Sequence, residues 1–209
     1  MKIALVQTNL IWENPIENRS HLAQKITGFM EEVDLIVLPE MFASGFTMNP
    51  KAVAETMTGE TIAWLQHLAK AKDCAITGSL VIEENGKYYN RLVFVYPNGE
   101  LKTYDKRHLF TLAGEDKVYT AGKEKLITEY KGFRICPLIC YDLRFPALFE
   151  ALGRQQCDVI AIPAAFTVPT GAAHWHVLQR ARAIEASAFV VAAAQVGQHE
   201  DGQIGRAHV

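Results

Sequence analysis

Residues 133–146 read FRICPLICYDLRFP. An apolar run from Phe133 to Leu138 leads into Ile139-Cys140, a helical pattern follows from Phe145 to Gly153, and a second apolar run covers Val159 to Pro163. A buried strand, a turn with a thiol at its tip, a helix and another buried strand make an α/β layer. Working outward, Trp175 to Ala186 has helical spacing and Phe189 to Ala194 is a further strand. Towards the N-terminus, Lys2 to Thr8 and Asp34 to Leu38 read as strands, and Asn18 to Phe29 and Thr61 to Lys70 as amphipathic helices. Cys74 to Glu83, Tyr88 to Tyr96 and Leu101 to Tyr104 form a meander, with Pro97-Asn98-Gly99 as a hairpin-type turn. The fold class is α/β, with sheets covered by helices.

The 209 residues are 49% hydrophobic and 21% charged, with a formal net charge of −2, so one ordinary core is within reach without metal or disulfide staples. A near-neutral balance without a basic block argues against a nucleic-acid or anionic-membrane footprint and for a small-molecule partner. The N-terminus lacks the apolar stretch of a signal peptide, and no run approaches the length of a membrane span. The expectation is a cytoplasmic protein whose four cysteines are reduced thiols, any of which could be a nucleophile. All 12 Lys lie in residues 1–134, whereas residues 135–209 hold none and carry 15 Ala. Two explanations stay open: a buried, Ala-rich second half, or a chain that joins pieces of two related genes.

Three chemically capable residues stand at strand ends. Glu40 stands in LPEMF, Lys106 in YDKRHLF and Cys140 in PLICYDLRFP. Ligand groups in open α/β layers gather beyond the carboxyl ends of strands. A thiol is mostly protonated at neutral pH and needs a base, which Glu40 can supply. The Lys106 ammonium and the backbone N–H of Tyr141 could hold an oxyanion. Each residue also has an ordinary reading: a solvated loop carboxylate, a surface ion pair among Asp105, Arg107 and His108, and a small core residue. Cys136 and Cys140 lie too far apart along a strand to share a metal ion or a disulfide.

In this order, LPEMF, YDKRHLF and LICYDLRFP resemble the three signature blocks of the nitrilase superfamily of carbon-nitrogen hydrolases, and the similarity runs from Lys2 to about Gly202. The first 146 residues most resemble the ω-amidase-like branch. The stretch GAAHWHVLQRARAIEASAFVVAAAQVG is similar to the branch that hydrolyses deaminated glutathione. The resemblance implies that Cys140 is the nucleophile, Glu40 the general base and Lys106 the oxyanion-stabilising ammonium. It implies that Glu115 orients Lys106 or the substrate nitrogen. Substrate contacts are expected from Phe42, Phe110, Tyr141, Arg144 and the 165–170 loop, including Phe166 and Thr170. Arg144 is either a clamp for a substrate carboxylate or a scaffold residue bonded to Asp142 or to backbone. The implied chemistry is hydrolysis of a small linear amide through a thioester, without metal or organic cofactor; nitrile or N-carbamoyl hydrolysis would use the same set.

The implied fold is a four-layer α-β-β-α sandwich that forms a homodimer, with the helix after Cys140 and the Trp175–Ala186 helix as interface elements. Arg180 or Arg182 could pair with Glu185 there. Residues 1–202 are expected to form one domain lacking its C-terminal strands, which would leave an exposed sheet edge. The last residues, IGRAHV, match no family block and are what ATC GGA AGA GCA CAC GTC, a common sequencing adapter, would encode. Gln203–Val209 is therefore expected to be a non-native tail, and a catalytically inactive fragment remains an alternative reading.

Overall fold

The structure is a computed structural model that describes residues 1–168, 171–199 and 202–204. Its first sheet runs β1 (Ile3–Leu5), β2 (Leu35–Val37), β3 (Ala75–Glu84), β4 (Lys87–Val95) and β5 (Leu101–Asp105) in spatial order. The first three strands are parallel and the last two continue as an antiparallel meander. The second sheet holds β6 (Thr128–Tyr130), β7 (Phe133–Pro137), β8 (Val159–Ala164) and β9 (Phe189–Ala194), with β7 to β9 parallel. β10 (Gly197–His199) and β11 (Gly202–Ile204) form a small hairpin, so Gln203 and Ile204 of the expected tail pair with Gln198 and Gly197.

Strand alternation sorts the side chains into layers. Ile36 of β2 and Leu38 just after it face one way and pack with Leu22 and Ile26 of α1 (Pro15–Thr27) and, beyond the short α2 (Pro50–Val53), with Ile62 and Leu65 of α3 (Glu60–Lys72). Leu35 and Val37 face the other way, against Ala161 and Val159 of β8 and Ala193 of β9. On the far side of the second sheet, Ile160, Ile162, Ala192 and Ala194 meet Phe149 and Leu152 of α5 (Pro146–Gly153) and Ala186 of α6 (His176–Ala186). The order is thus helix, sheet, sheet, helix. Ala161 and Ala193 of the second half lie fully buried where the sheets meet.

Element boundaries follow local chemistry. α1 begins at Pro15, three residues before its expected start, because Asn14 caps it by accepting from the Glu17 N–H and Pro15 fits the first helical position. Asn85 and Gly86 turn β3 into β4 with φ of 53° and 74°, as a two-residue hairpin requires. Before α6 the chain makes a π-helical turn, Gly171–Trp175, where a regular helix start at Trp175 was expected. Arg182 does pair with Glu185 at 2.8 Å, but its buried side chain also donates Nε to the Leu143 carbonyl and so ties α6 to the turn after Cys140.

The expectation of four reduced thiols is corrected for two of them. Cys136 of β7 and Cys157, two residues before β8, lie at a Cα separation of 6.2 Å and form a disulfide, leaving Cys74 and Cys140 free. No helix among the described residues is long and apolar enough to cross a membrane.

Gly78 on β3 is a point of close approach. A Cβ there would meet Leu38 Cβ at 2.8 Å and the Phe42 ring at 2.9 Å. Gly78→Ala is expected to lower the unfolding free energy by about 1–3 kcal/mol through overpacking, read from the midpoint of urea unfolding.

Candidate active site

Glu40 lies three residues beyond the end of β2. The turn after it is set by Met41, whose φ is 44°, and is anchored by bonds from the Met41 N–H to Ser79 Oγ and from the Phe42 N–H to the Ser79 carbonyl. Asn18 of α1 pins the same turn from outside, donating Nδ2 to the Ala43 carbonyl. Lys106 directly follows β5, and its N–H extends the ladder to the Asn90 carbonyl. The Gly122 N–H bonds to the Lys106 carbonyl at 2.9 Å, and a Cβ at Gly122 would strike the Asp105 carbonyl, so only glycine fits beside this strand end. Glu115 opens the short α4 (Glu115–Val118). Cys140 heads the 3₁₀ turn Cys140–Arg144 after β7, with φ of 41°, a conformation that costs a non-glycine residue about 1–3 kcal/mol.

These four side chains converge. Lys106 Nζ donates to Glu40 Oε1 at 2.8 Å and to Glu115 Oε2 at 2.9 Å, and all three residues are buried. The surface ion-pair reading of Lys106 and the solvated-loop reading of Glu40 therefore fall away. Asp105 pairs instead with Arg91, and His108 with Asp142. Asn90 of β4 gives its amide N–H groups to both carboxylates, at 2.8 Å to Glu40 and 3.1 Å to Glu115. Gln195, just past β9, donates to the Glu40 backbone carbonyl.

The electrostatics follow from burial. Desolvation, with Glu115 adding to it, pushes the Glu40 carboxyl above its ordinary value although Lys106 pulls it back. Desolvation and the Glu40 charge raise the Cys140 thiol well above its ordinary value, while Lys106 and the Ala165 backbone oppose them. For Lys106, burial works against the charge, but Glu40 and Glu115 outweigh it and raise its pKa. The resting site thus holds a neutral thiol beside a carboxylate of enhanced proton affinity and a permanent ammonium. Among the described residues, Glu40 Oε2 has no well-formed hydrogen bond and is placed to receive a proton.

A small pocket opens above this cluster, floored by Lys106 and Cys140 and walled by Phe46, Phe110, Tyr141 and Phe166. Arg144 stands in its wall, the guanidinium 5.4 Å from the Phe166 ring and 5.8 Å from that of Tyr141, donating to His174 Nδ1. It does not bond to Asp142, whose oxygens are taken by Tyr104, His108 and the Ile139 N–H. Phe42 is a correction. The turn at Met41 swings its ring into the core against Trp64, and Phe46 lines the pocket in its place, 5.2 Å from Lys106 Nζ. Thr170 lies outside the described residues. Among the described residues no cluster of His, Cys, Asp and Glu could hold a metal ion.

Asn90 and Gln195 escaped the sequence reading. The available signal was a polar residue within or directly after an otherwise apolar strand, YYNRLVFV and FVVAAAQ.

A carbon-nitrogen hydrolase family model matches residues 2–208. The ω-amidase YafV of Yersinia enterocolitica is 40% identical over 205 residues, covering 97% of this chain and 77% of that protein. A deaminated glutathione amidase of Synechocystis is 37% identical over 207 residues, covering 87% of this chain and 75% of the other. Among solved structures, XC1258 of Xanthomonas campestris, a CN-hydrolase superfamily protein with an arsenic adduct in its active site, is 37% identical with a TM-score of 0.93. It covers 99% of this chain and 79% of that one.

Replacing Lys106 by Met leaves two buried carboxylates unpaired, so Lys106→Met is expected to cost about 3–5 kcal/mol of stability. The deficit should shrink as pH falls, because protonating the carboxylates removes the uncompensated charge. Urea unfolding of both proteins at neutral and mildly acidic pH measures this.

Proposed function

The chain belongs to the carbon-nitrogen hydrolase family and is an amide-hydrolysing enzyme, and we propose that Cys140, Glu40, Lys106 and Glu115 carry the reaction on a small linear amide whose far end bears a carboxylate. The observation that supports this most is the shared position of Lys106 Nζ between two buried carboxylates at the floor of a pocket that Cys140 also floors.

Glu40 Oε2 takes the thiol proton as Cys140 Sγ attacks the amide carbon. The raised thiol pKa requires this base, and the raised Glu40 pKa suits it to the task. Negative charge moves to the carbonyl oxygen, where Lys106 Nζ and the Tyr141 N–H receive it, each such donor being worth about 3–4 kcal/mol of barrier. The proton on Glu40 passes to the nitrogen, the C–N bond breaks, ammonia leaves and a thioester remains. Water then gives a proton to Glu40 and its oxygen to the acyl carbon. The acid departs and the thiol is restored. Glu115 holds Lys106 through a second ion pair beside that of Glu40.

Phe110 and Phe166 confine the aliphatic part of the substrate, and Arg144 receives its carboxylate. The guanidinium is held by a neutral acceptor, His174 Nδ1, rather than by a carboxylate, which leaves its charge uncompensated for an anionic ligand. Residues 1–202 act as one domain in the cytoplasm. The exposed Val177 and Ile184 on α6 support a homodimer formed through this helix face.

Incubation with an ω-amide of a dicarboxylic acid should add an acyl mass to the intact protein and release ammonia, whereas Cys140→Ala should do neither. The same sample sprayed under native conditions is expected at twice the chain mass. Adducts from nitriles or N-carbamoyl amino acids alone would overturn the substrate class. Because Glu40 must be ionised, kcat/KM should fall with decreasing pH through a midpoint above the ordinary glutamate value of about 4.3. Arg144→Gln should raise KM for the anionic amide about tenfold and leave a neutral amide of equal length nearly unchanged, as steady-state ammonia assays will show.

A further inference from the structure

Asp142 lies two residues after Cys140 and is fully buried. Its carboxylate accepts four hydrogen bonds. Oδ2 takes the Tyr104 hydroxyl at 2.8 Å and the Ile139 N–H at 3.0 Å, and Oδ1 takes His108 Nδ1 at 2.7 Å and the His108 N–H at 3.1 Å. Only the bond to Ile139 is local, closing the turn that presents the thiol. The other three come from 34 and 38 residues away in sequence, from the two residues that bracket Lys106 at a spacing of two on either side. A helix cap would need the first bond alone. This arrangement ties the thiol's turn to the ammonium's strand end.

Tyr104 is a fixed donor, since burial, and then the Asp142 charge, hold its phenol far above the ordinary value. His108 adds a second connection. Its ring lies flat on Phe145, centroids 3.6 Å apart at 12°, and Phe145 meets Tyr141 edge-on at 5.5 Å in the pocket wall. A carboxylate offers only acceptors, so the His108 ring bonds to it through Nδ1–H.

We infer that His108 is a positioning residue, whose Nδ1–H locks Asp142, and with it the turn bearing Cys140, against the segment bearing Lys106. The inference rests on the reading of Cys140 as nucleophile and Lys106 as oxyanion donor. Its consequence is confined to the chemical step, because a small displacement of one reacting group relative to another costs rate rather than substrate binding.

His108 is the place to test this, because its side chain is a quarter exposed and tolerates change better than Asp142. Asparagine can present an N–H where histidine carries Nδ1, whereas glutamine places it near Nε2. His108→Gln and His108→Leu are expected to lower kcat for ammonia release by about tenfold to a hundredfold with KM within about threefold of wild type. His108→Asn should stay within about threefold in both. Alkylation of Cys140 by iodoacetamide, followed by intact mass, should slow in the same rank order. Equal losses in the Asn and Gln variants, or losses confined to KM, would overturn the positioning role, as would a parallel fall in thermal midpoint that accounts for the ranking. If wild type releases no ammonia, or Cys140→Ala matches it, the underlying amidase reading fails and this inference with it.

Discussion

A lysine ammonium stripped of water survives only where opposite charge surrounds it, and the whole site is arranged to meet that condition for Lys106. Desolvating a charge costs several kcal/mol even after relaxation. Here the cost is offset by Glu40 and Glu115, which close on Nζ from two sides. The two carboxylates repel each other in turn, and Asn90 eases that repulsion by donating to both. β2, β4, β5 and α4 each deliver one member of this group, so their ends must all arrive at one point. The turn at Met41 and the glycine at 122 are consequences of that requirement.

Under the proposed mechanism, the same condition explains why the thiol works with a base. A cysteine at the mouth of an exposed cleft could be activated by a nearby cation alone. In this enclosure the cation is already committed to two carboxylates, and its pull on the thiol is smaller than the penalty of burial and of the Glu40 charge. Proton transfer to Glu40 during attack is then the lower-energy route.

Much of the frame was legible in the chain. The unbroken apolar runs Leu35 to Leu38 and Val159 to Ile162 mark strands buried on both faces, and such strands require layers on either side. Glu40, Lys106 and Cys140 stand at strand ends, but position alone left each an ordinary structural explanation, and it was the ordered blocks LPEMF, YDKRHLF and LICYDLRFP that singled them out. Phe42 and Phe46 were not separable in this way. Both are aromatic residues in one short loop, and which of them reaches the pocket depends on the positive φ of Met41, a backbone property without a local sequence signature. Asn90 was hidden for a different reason: one amide in a strand reads as a blemish until the carboxylates it serves are known. The Cys136–Cys157 disulfide joins a strand to a loop beyond the next helix, and no local spacing marks such a pair.

Glu40 and Lys106 extend from the first sheet and Cys140 from the second, so in the proposed mechanism the distance across which the proton moves depends on how the two sheets pack. On the facing surfaces the small side chains of Ala75, Ala161 and Ala193 stand among larger ones such as Leu35, Val37 and Phe94. Each methyl group added between the sheets would act as a spacer inserted between acid and base. Under the proposed mechanism, core volume becomes a rate parameter set by residues that never touch the substrate.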